Sequence, residues 1–473
     1  MDSVRNVMES RNVAVIGASK DSRKPGGMLL KALVETGFKG KLAGVNPRGG
    51  EIHGVTLYQN IGEVPFAVDL AVLFIPPKAV PQAVRECAQK GVKGVVISSE
   101  GFAESGREGM RYQEEVGSIL RTSGMRGFGP NTMGIVNTAT GLTTGSFTTK
   151  EMLEPGSIGL VSQTGTFVGA MLRYLSSFEI LHVSKVLGLG NKVDVDESDA
   201  LTYLSDDDQT RIVGMYLEDI RDGRRFLDVA RETTRRKPVL LVKGGRTSAG
   251  ATASATHTAS LAMDDAVLNG ALRQAGVLRM KGIDELINTL IGFQCLPLPK
   301  GDHLALVTFS GALAIMSIDV AIEEGLGLAR LSDRTGERLS RVISTPSKTR
   351  NPIDIYPDMV NHGFEKTSTE ILRALLDDSG VHGIIFICFA ISGIETYRPL
   401  VEIIRENRTK PVFFSLLGDK EHIEICREYM EQNQIPLFLF PDTAVRVFSN
   451  MRRYARTLEG KRGGRQIRKQ RSS

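Results

Sequence analysis

RNVAVIGAS, residues 11–19, is a run of β-branched and small residues that ends in glycine. It reads as a buried strand, and KPGGMLLKALVETGF after it reads as a loop and a helix. The pattern then repeats. GKLAGVNP (40–47) is a second strand closed by Asn-Pro, VDLAVLFIPP (68–77) a third stopped by two prolines, and VKGVVISSEGF (92–102) a fourth. MRGFGPNTMGIVN (125–137) closes the series. Short apolar strands alternating with helices imply a doubly wound parallel α/β sheet, whose ligands sit beyond the strand C-termini.

Two later stretches repeat one another in outline. GSIGLVSQTGTFVGAMLRYL (156–175) and DHLALVTFSGALAIMSIDVA (302–321) are each a buried strand, a small-residue turn and a helix. RIVGMYLED (211–219) and KPVLLVKGG (237–245) supply further strands to one, VHGIIFICFA (381–390) and KPVFFSLLG (410–418) to the other. The prolines of CLPLPKGD (295–302) mark the boundary between them. The expected domains are residues 1–150, 151–298 and 299–459, followed by a basic tail, 460–473, expected to be disordered.

Composition agrees with three such domains. A chain of 473 residues exceeds one ordinary core, and 41% hydrophobic with 24% charged residues describes a soluble globular protein. The net charge of +5 owes much to the tail GKRGGRQIRKQRSS. The near-neutral remainder argues against a nucleic-acid groove. Cys87, Cys295, Cys388 and Cys426 stand far apart, which suggests neither a disulfide framework nor a zinc site and points to the cytoplasm. MDSVRNVMESRNVAVIG lacks a signal-peptide core, and no apolar run is long enough to span a bilayer, so no membrane association is expected.

The loops after the strands are where chemistry is expected. GASKDSRKPGG (17–27) is not GxGxxG, and VNPRGG places no acid at the end of the second strand, where an NAD site would need one. Lys24, Lys41 and Arg48 suit a phosphate-bearing nucleotide, although the stretch also reads as an ordinary turn with solvated lysines. SQTGTF (162–167) aims amides and hydroxyls at one point, yet Ser162 and Thr164 could equally cap the helix. TFSGAL (308–313) reads as a structural echo of it. Glu218 and Asp219 end a strand, where a carboxylate can accept an imidazole N–H. In NKVDVDESDA (191–200), Asp194, Asp196, Glu197 and Asp199 form an acidic loop without the EF-hand pattern, so a solvated loop is expected there.

One of the seven histidines has unusual surroundings. His257 lies in SATHTASL (254–261), after the small, flexible loop VKGGRTSAGAT (242–252). A lone histidine is commonly structural. Among phosphate-cradling loops, however, a neutral imidazole can attack phosphorus without first losing a proton. No GxSxG, Walker A or HExxH motif competes with it.

Taken in order, VAVIGAS, VNPRGG, SSEGF, GPNTMGI, SQTGTF, YLED, VKGGRTSAGA, SATHTASL and NPIDIYP resemble the ADP-forming acyl-CoA synthetases. The likeness is to the α subunit of acetyl-CoA synthetase (ADP-forming), a family related to the succinyl-CoA synthetase α subunit. It implies a Rossmann-like CoA-binding domain followed by two flavodoxin-like domains, and a phosphoryl group carried by His257. Glu218 would hold that histidine. Ser162, Gln163, Thr164 and Gly165 would bind phosphate. Gly17, Ser19, Lys24, Lys41, Pro76, Ser99 and Glu100 would lie near CoA, with Asn131 beside the thioester.

The resemblance further implies an ATP-grasp β subunit, an α2β2-like assembly, and Mg2+ with ADP or ATP on that partner, since this chain has no room for such a module. Three positions depart from the pattern: Ala259 and Met263 replace glycines, and Thr132 replaces a cysteine. The competing readings are a non-catalytic CoA-binding regulatory or scaffold protein and, against the missing GxGxxG, an NAD(P)-dependent oxidoreductase.

Overall fold

A computed structural model describes residues 3–471 except Ser22, residue 251, residues 253–263 and residues 391–392. The chain divides into two compact units, Met1–Met280 and Lys281–Ser473.

The first unit holds two sheets. In the first sheet, β1 (Asn12–Ile16), β2 (Lys41–Val45), β4 (Val55–Tyr58), β5 (Leu70–Leu73), β6 (Gly94–Ile97) and β7 (Arg126–Phe128) run parallel. β3 (Gly50–Ile52) is antiparallel at the edge. The order is β3-β4-β2-β1-β5-β6-β7, so it reverses about β1, between β2 and β5. Alternation explains the apolar runs. Val13 and Val15 face one core, while Ala14 and Ile16 face another. Leu29, Leu30 and Leu33 of α2 (Pro25–Glu35) cover the first face. Val80 and Val84 of α3 (Val80–Lys90), with Val116 and Leu120 of α4 (Arg107–Ser123), cover the second. Each such side chain, fully buried, contributes roughly 1.5–3 kcal/mol.

The second sheet comprises β8 (Ile135–Asn137), β9 (Leu142–Thr143), β10 (Ile158–Ser162), β11 (Val183–Gly188), β12 (Ile212–Leu217), β13 (Val239–Lys243) and β14 (Leu278–Met280). Its order is β14-β13-β12-β10-β11-β8-β9. β8 and β9 add antiparallel strands to the β11 edge. Residues 135–143, which precede the boundary expected at 150, are therefore part of this sheet. One continuous core joins Val13 and Val15 to Leu187 and Val213, which makes the two sheets a single compact unit.

The second unit is built on β15 (His303–Thr308), β16 (Gly327–Leu328), β17 (Ile353–Asp354), β18 (Gly383–Ala390), β19 (Val412–Gly418) and β20 (Leu437–Phe438). The order β20-β19-β18-β15-β16 repeats β14-β13-β12-β10-β11 strand for strand, the flavodoxin-like arrangement. The repetition extends to the turns. Ser162 Oγ donates to the Thr164 carbonyl at 3.0 Å, and Thr308 Oγ1 to the Ser310 carbonyl at 2.8 Å. The last helix, Pro441–Arg471, continues through most of the tail expected to be disordered. Its packed first half, with Val445, Phe448 and Met451 buried, supplies the nucleus, after which elongation is cheap.

Candidate functional site

At the C-terminal edge of the first sheet the chain leaves β1 through Gly17, whose φ is +90°. A Cβ there would stand 2.3 Å from the Phe74 carbonyl oxygen, at the exit of β5. Gly26, in the first turn of α2, is equally constrained: its Cβ would lie 2.4 Å from the Gly17 carbonyl oxygen. Helix and turn are thus in backbone contact at the point where strand order reverses, the place where such a sheet takes its ligands.

A cavity of about 390 Å³ opens beside this turn, at Pro25. Its lining joins loops of both sheets: Phe74, Ser98 and Glu100 from the first, Asn131–Met133 after β7, and Gln163, Thr164 and Gly165 at the start of α5 (Gly165–Leu175). Ser98 Oγ is buried here with no hydrogen-bond partner among the described residues. Thr164 occupies the N-cap of α5 but makes no side-chain cap bond, so capping does not account for its hydroxyl. Asn131 has a φ of +59°, and its N–H donates to the Ser99 carbonyl at 3.0 Å. Thr132 Oγ1 donates to the Gly188 carbonyl at 2.9 Å.

Beneath the cavity, Glu104 ties its two halves. Its carboxylate accepts the Gly101 and Phe102 N–H groups at 2.8 and 3.0 Å, and the Asn191 amide at 2.6 Å. Burial pushes its pKa up, but these donors outweigh burial and hold it below the usual glutamate value.

Glu218 follows β12 one step away. Its N–H donates to Gln163 Oε1 at 2.8 Å, and its carbonyl accepts from Lys243 Nζ at 2.6 Å. The Tyr216 hydroxyl donates to its carboxylate at 3.4 Å. Burial and the neighbouring carboxylate charge raise the Tyr216 pKa, and burial lowers that of Lys243.

Lys192, only 2% exposed, pairs with Glu197 at 2.9 Å and with Asp219 at 2.5 Å. Its φ is +55°. The rest of the acidic loop is engaged too: Asp194 and Asp199 each lie 2.7 Å from Arg126, and Asp196 caps α6 (Glu197–Asp206). The loop expected to be solvated is thus an ion-pair network. Among the described residues, no group of three or more His, Cys, Asp or Glu is arranged to hold a metal.

The expected site residues separate as follows. Ser162, Gln163, Thr164, Gly165, Glu100 and Asn131 gather at the cavity or its edge. Gly17, Ser19 and Lys24 lie on the adjoining turn before α2, and Pro76 and Ser99 at the exits of β5 and β6. Lys41 does not join them. It opens β2, at the opposite end of the sheet, where its ammonium stands 5.7 Å from the Phe66 ring centroid. His257, with Ala259 and Met263, lies outside the described residues. Lys192, Lys243, Glu104 and Ser98 escaped the sequence reading. The one cation amid the acids of NKVDVDESDA was the available signal for Lys192.

Comparison with known proteins bears on the family and the fold. Residues 11–138 match the family described as CoA binding domain, and residues 155–292 the succinyl-CoA ligase like flavodoxin domain. The chain is 35% identical to the acetate–CoA ligase (ADP-forming) I subunit alpha of Pyrococcus furiosus, over 96% of this chain and 98% of that one. It is 36% identical to the acetate–CoA ligase (ADP-forming) II of Archaeoglobus fulgidus, over 96% of this chain and 67% of that protein. The dinucleotide forming acetyl-coenzyme A synthetase 1 of Candidatus Korarchaeum cryptofilum, solved with phosphate and ADP, superposes with a TM-score of 0.88. The identity is 29%, over 97% of this chain and 98% of that one.

Proposed function

The chain belongs to the ADP-forming acyl-CoA synthetase family as an enzyme of its α-subunit type, and from that premise we propose a three-step phosphoryl relay through His257. In the first step a phosphate oxygen attacks the thioester carbonyl of an acyl-CoA. A C–O bond forms, the C–S bond breaks, and the thiolate leaves and takes up a proton. In the second, a His257 ring nitrogen attacks phosphorus, a P–N bond forms, and the carboxylate departs. In the third, ADP takes the phosphoryl group from His257. Each step reverses.

The turn after β1 suits CoA, since the cavity beside it is lined by Pro25 and Phe74 and holds the buried Ser98 Oγ, which has no partner among the described residues. Gly17, Ser19, Lys24, Pro76, Ser99 and Glu100 would hold CoA, with Asn131 beside the thioester. The first amides of α5 would face phosphate, because helix N-terminal N–H groups favour anions. Glu218 would accept the other ring N–H of His257, fixing its tautomer and stabilising the phosphorylated form.

ADP or ATP with Mg2+ would sit on an ATP-grasp β chain, in an α2β2-like assembly. All four cysteines are free and buried, in keeping with a reducing cytoplasm.

The observation that carries this reading is the cavity where the SQTG turn meets the Asn131–Met133 loop, with Glu218 tied to that turn through Gln163. The test is labelling with radioactive phosphate, Mg2+ and a panel of acyl-CoAs, with and without a candidate β chain. Acid-labile, base-stable label is expected on the native chain and not on His257→Asn. Equal labelling of that variant would overturn the relay.

A further inference from the structure

We propose that Gln163 is a positioning residue that fixes Glu218, and not a ligand of the phosphate. The proposal rests on the role given to Glu218 above. By location Gln163 has every appearance of a phosphate ligand: it sits in the SQTG turn and lines the cavity. Its hydrogen bonds assign it elsewhere. Oε1 accepts the N–H of Glu218 at 2.8 Å and that of Asp219 at 3.1 Å, which uses both lone pairs of an amide oxygen. Nε2 donates to Asp219 Oδ1 at 2.5 Å, and the main-chain N–H of Gln163 donates to the Tyr216 carbonyl at 3.0 Å. The side chain is a splint across the end of β12, and it is only 5% exposed.

Other groups complete the clamp. Lys243 Nζ holds the Glu218 carbonyl at 2.6 Å and the Gly244 carbonyl at 2.5 Å, tying the end of β12 to the start of the loop that leads to His257. Lys192 Nζ shares Asp219 Oδ1 with Gln163 and reaches the Asp219 carbonyl at 3.2 Å. Glu197 Oε2 accepts from Lys192 at 2.9 Å and its Oε1 from the Arg221 N–H at 2.7 Å. Residues 218–221 are therefore held from both sides by buried partners. A carboxylate on so fixed a main chain is presented in one direction, and that matters because a displacement of about 1 Å can cost on the order of 10²-fold in rate.

The test compares Gln163→Met, Gln163→Glu and Glu218→Gln in the enzyme assembled with its β chain, reading kcat and the KM for phosphate separately. Gln163→Met should lower kcat on the order of 10²-fold, with the phosphate KM within about twofold. A phosphate KM raised tenfold or more with kcat intact would make Gln163 a phosphate ligand and overturn the proposal, as would no change in either.

Gln163→Glu keeps the acceptor but sets a second carboxylate against Asp219. Its rate should recover as pH falls and that carboxyl gains a proton it can donate. A flat pH profile of this variant relative to native enzyme would also count against positioning, and this readout stands even if Gln163→Met does not fold. Glu218→Gln separates the two ideas. If it retains full activity, the role of Glu218 itself fails. If it is impaired while both Gln163 variants are native-like, only the positioning role fails.

Discussion

The Thr132 hydroxyl joins two loops: it donates to the Gly188 carbonyl at 2.9 Å and accepts the Gly134 N–H at 2.9 Å. The residue is 5% exposed, so neither main-chain group has water to turn to if the hydroxyl is lost. Thr132→Val should therefore destabilise the fold by about 1–3 kcal/mol. Thr132→Ser should recover most of that loss. Thermal unfolding of the three proteins at one pH checks it. The departure from cysteine at this position thus has a main-chain explanation, in addition to any effect on the thioester pocket.

Gly17 and Gly37 both have positive φ, +90° and +76°, but only Gly17 meets a neighbour, the Phe74 carbonyl oxygen. Alanine at Gly37 should bring backbone strain alone, about 1–2 kcal/mol, and leave CoA affinity unchanged. Gly17→Ala adds a clash that must part β1 from β5. CoA binding measured by calorimetry should fall at least tenfold in this variant and remain native in Gly37→Ala.

Ser98→Ala removes a buried hydroxyl that bonds to none of the described residues. Stability should be unchanged or slightly raised. CoA or acyl-CoA affinity should drop by about 3- to 10-fold, the worth of one neutral hydrogen bond of about 0.5–1.5 kcal/mol. Unfolding and titration on the same preparations separate the two effects. Unaltered affinity would remove Ser98 from the ligand's surroundings.

Asp69 links β1 to its neighbours by accepting the Arg11 and Asn12 N–H groups at 3.1 and 2.9 Å, with Lys93 at 2.7 Å. Burial raises its pKa, but Lys93 and the two N–H donors outweigh burial, so the net shift is downward. A carboxyl with a depressed folded pKa adds stability above its unfolded pKa, near about 3.9, and that stability is lost as pH falls through the lower folded value. Asp69→Asn should lower Tm at neutral pH, and the gap from native protein should narrow below about pH 4. A gap that is constant from pH 7 to pH 3 would exclude this linkage.

Much of the architecture is legible because a parallel sheet covered on both faces leaves unbroken apolar runs, as at Val13–Ile16 and Leu70–Leu73. Where such runs share a stretch, the pattern cannot say which sheet each joins. Residues 125–137 read as one closing element but divide into β7 and β8, which enter different sheets around the GPNTMG turn. The hairpin of β3 and β4 is short and mixed in polarity, with an edge that needs no apolar signal.

Side-chain roles were harder to read than strands. Lys41 has suitable chemistry, but β2 runs from it toward the site, so it stands at the wrong end. Gln163 has the right address, yet its partners lie 55 and 56 positions away in the chain. Residue type and local spacing carry no information about a bond closed by tertiary folding.

The antiparallel strands β8 and β9 have a practical bearing on how the protein can be dissected. They shield the rim of the second sheet, because β8 pairs with β11 through Ile135, Val136 and Asn137. A fragment cut to begin at residue 151 would leave that rim bare, a row of unmet amides and carbonyls inviting a second molecule to add its own strand. Because one core joins the two sheets of this unit, grafting or limited proteolysis would have to carry Met1–Met280 as one piece to keep both that rim and the shared core covered.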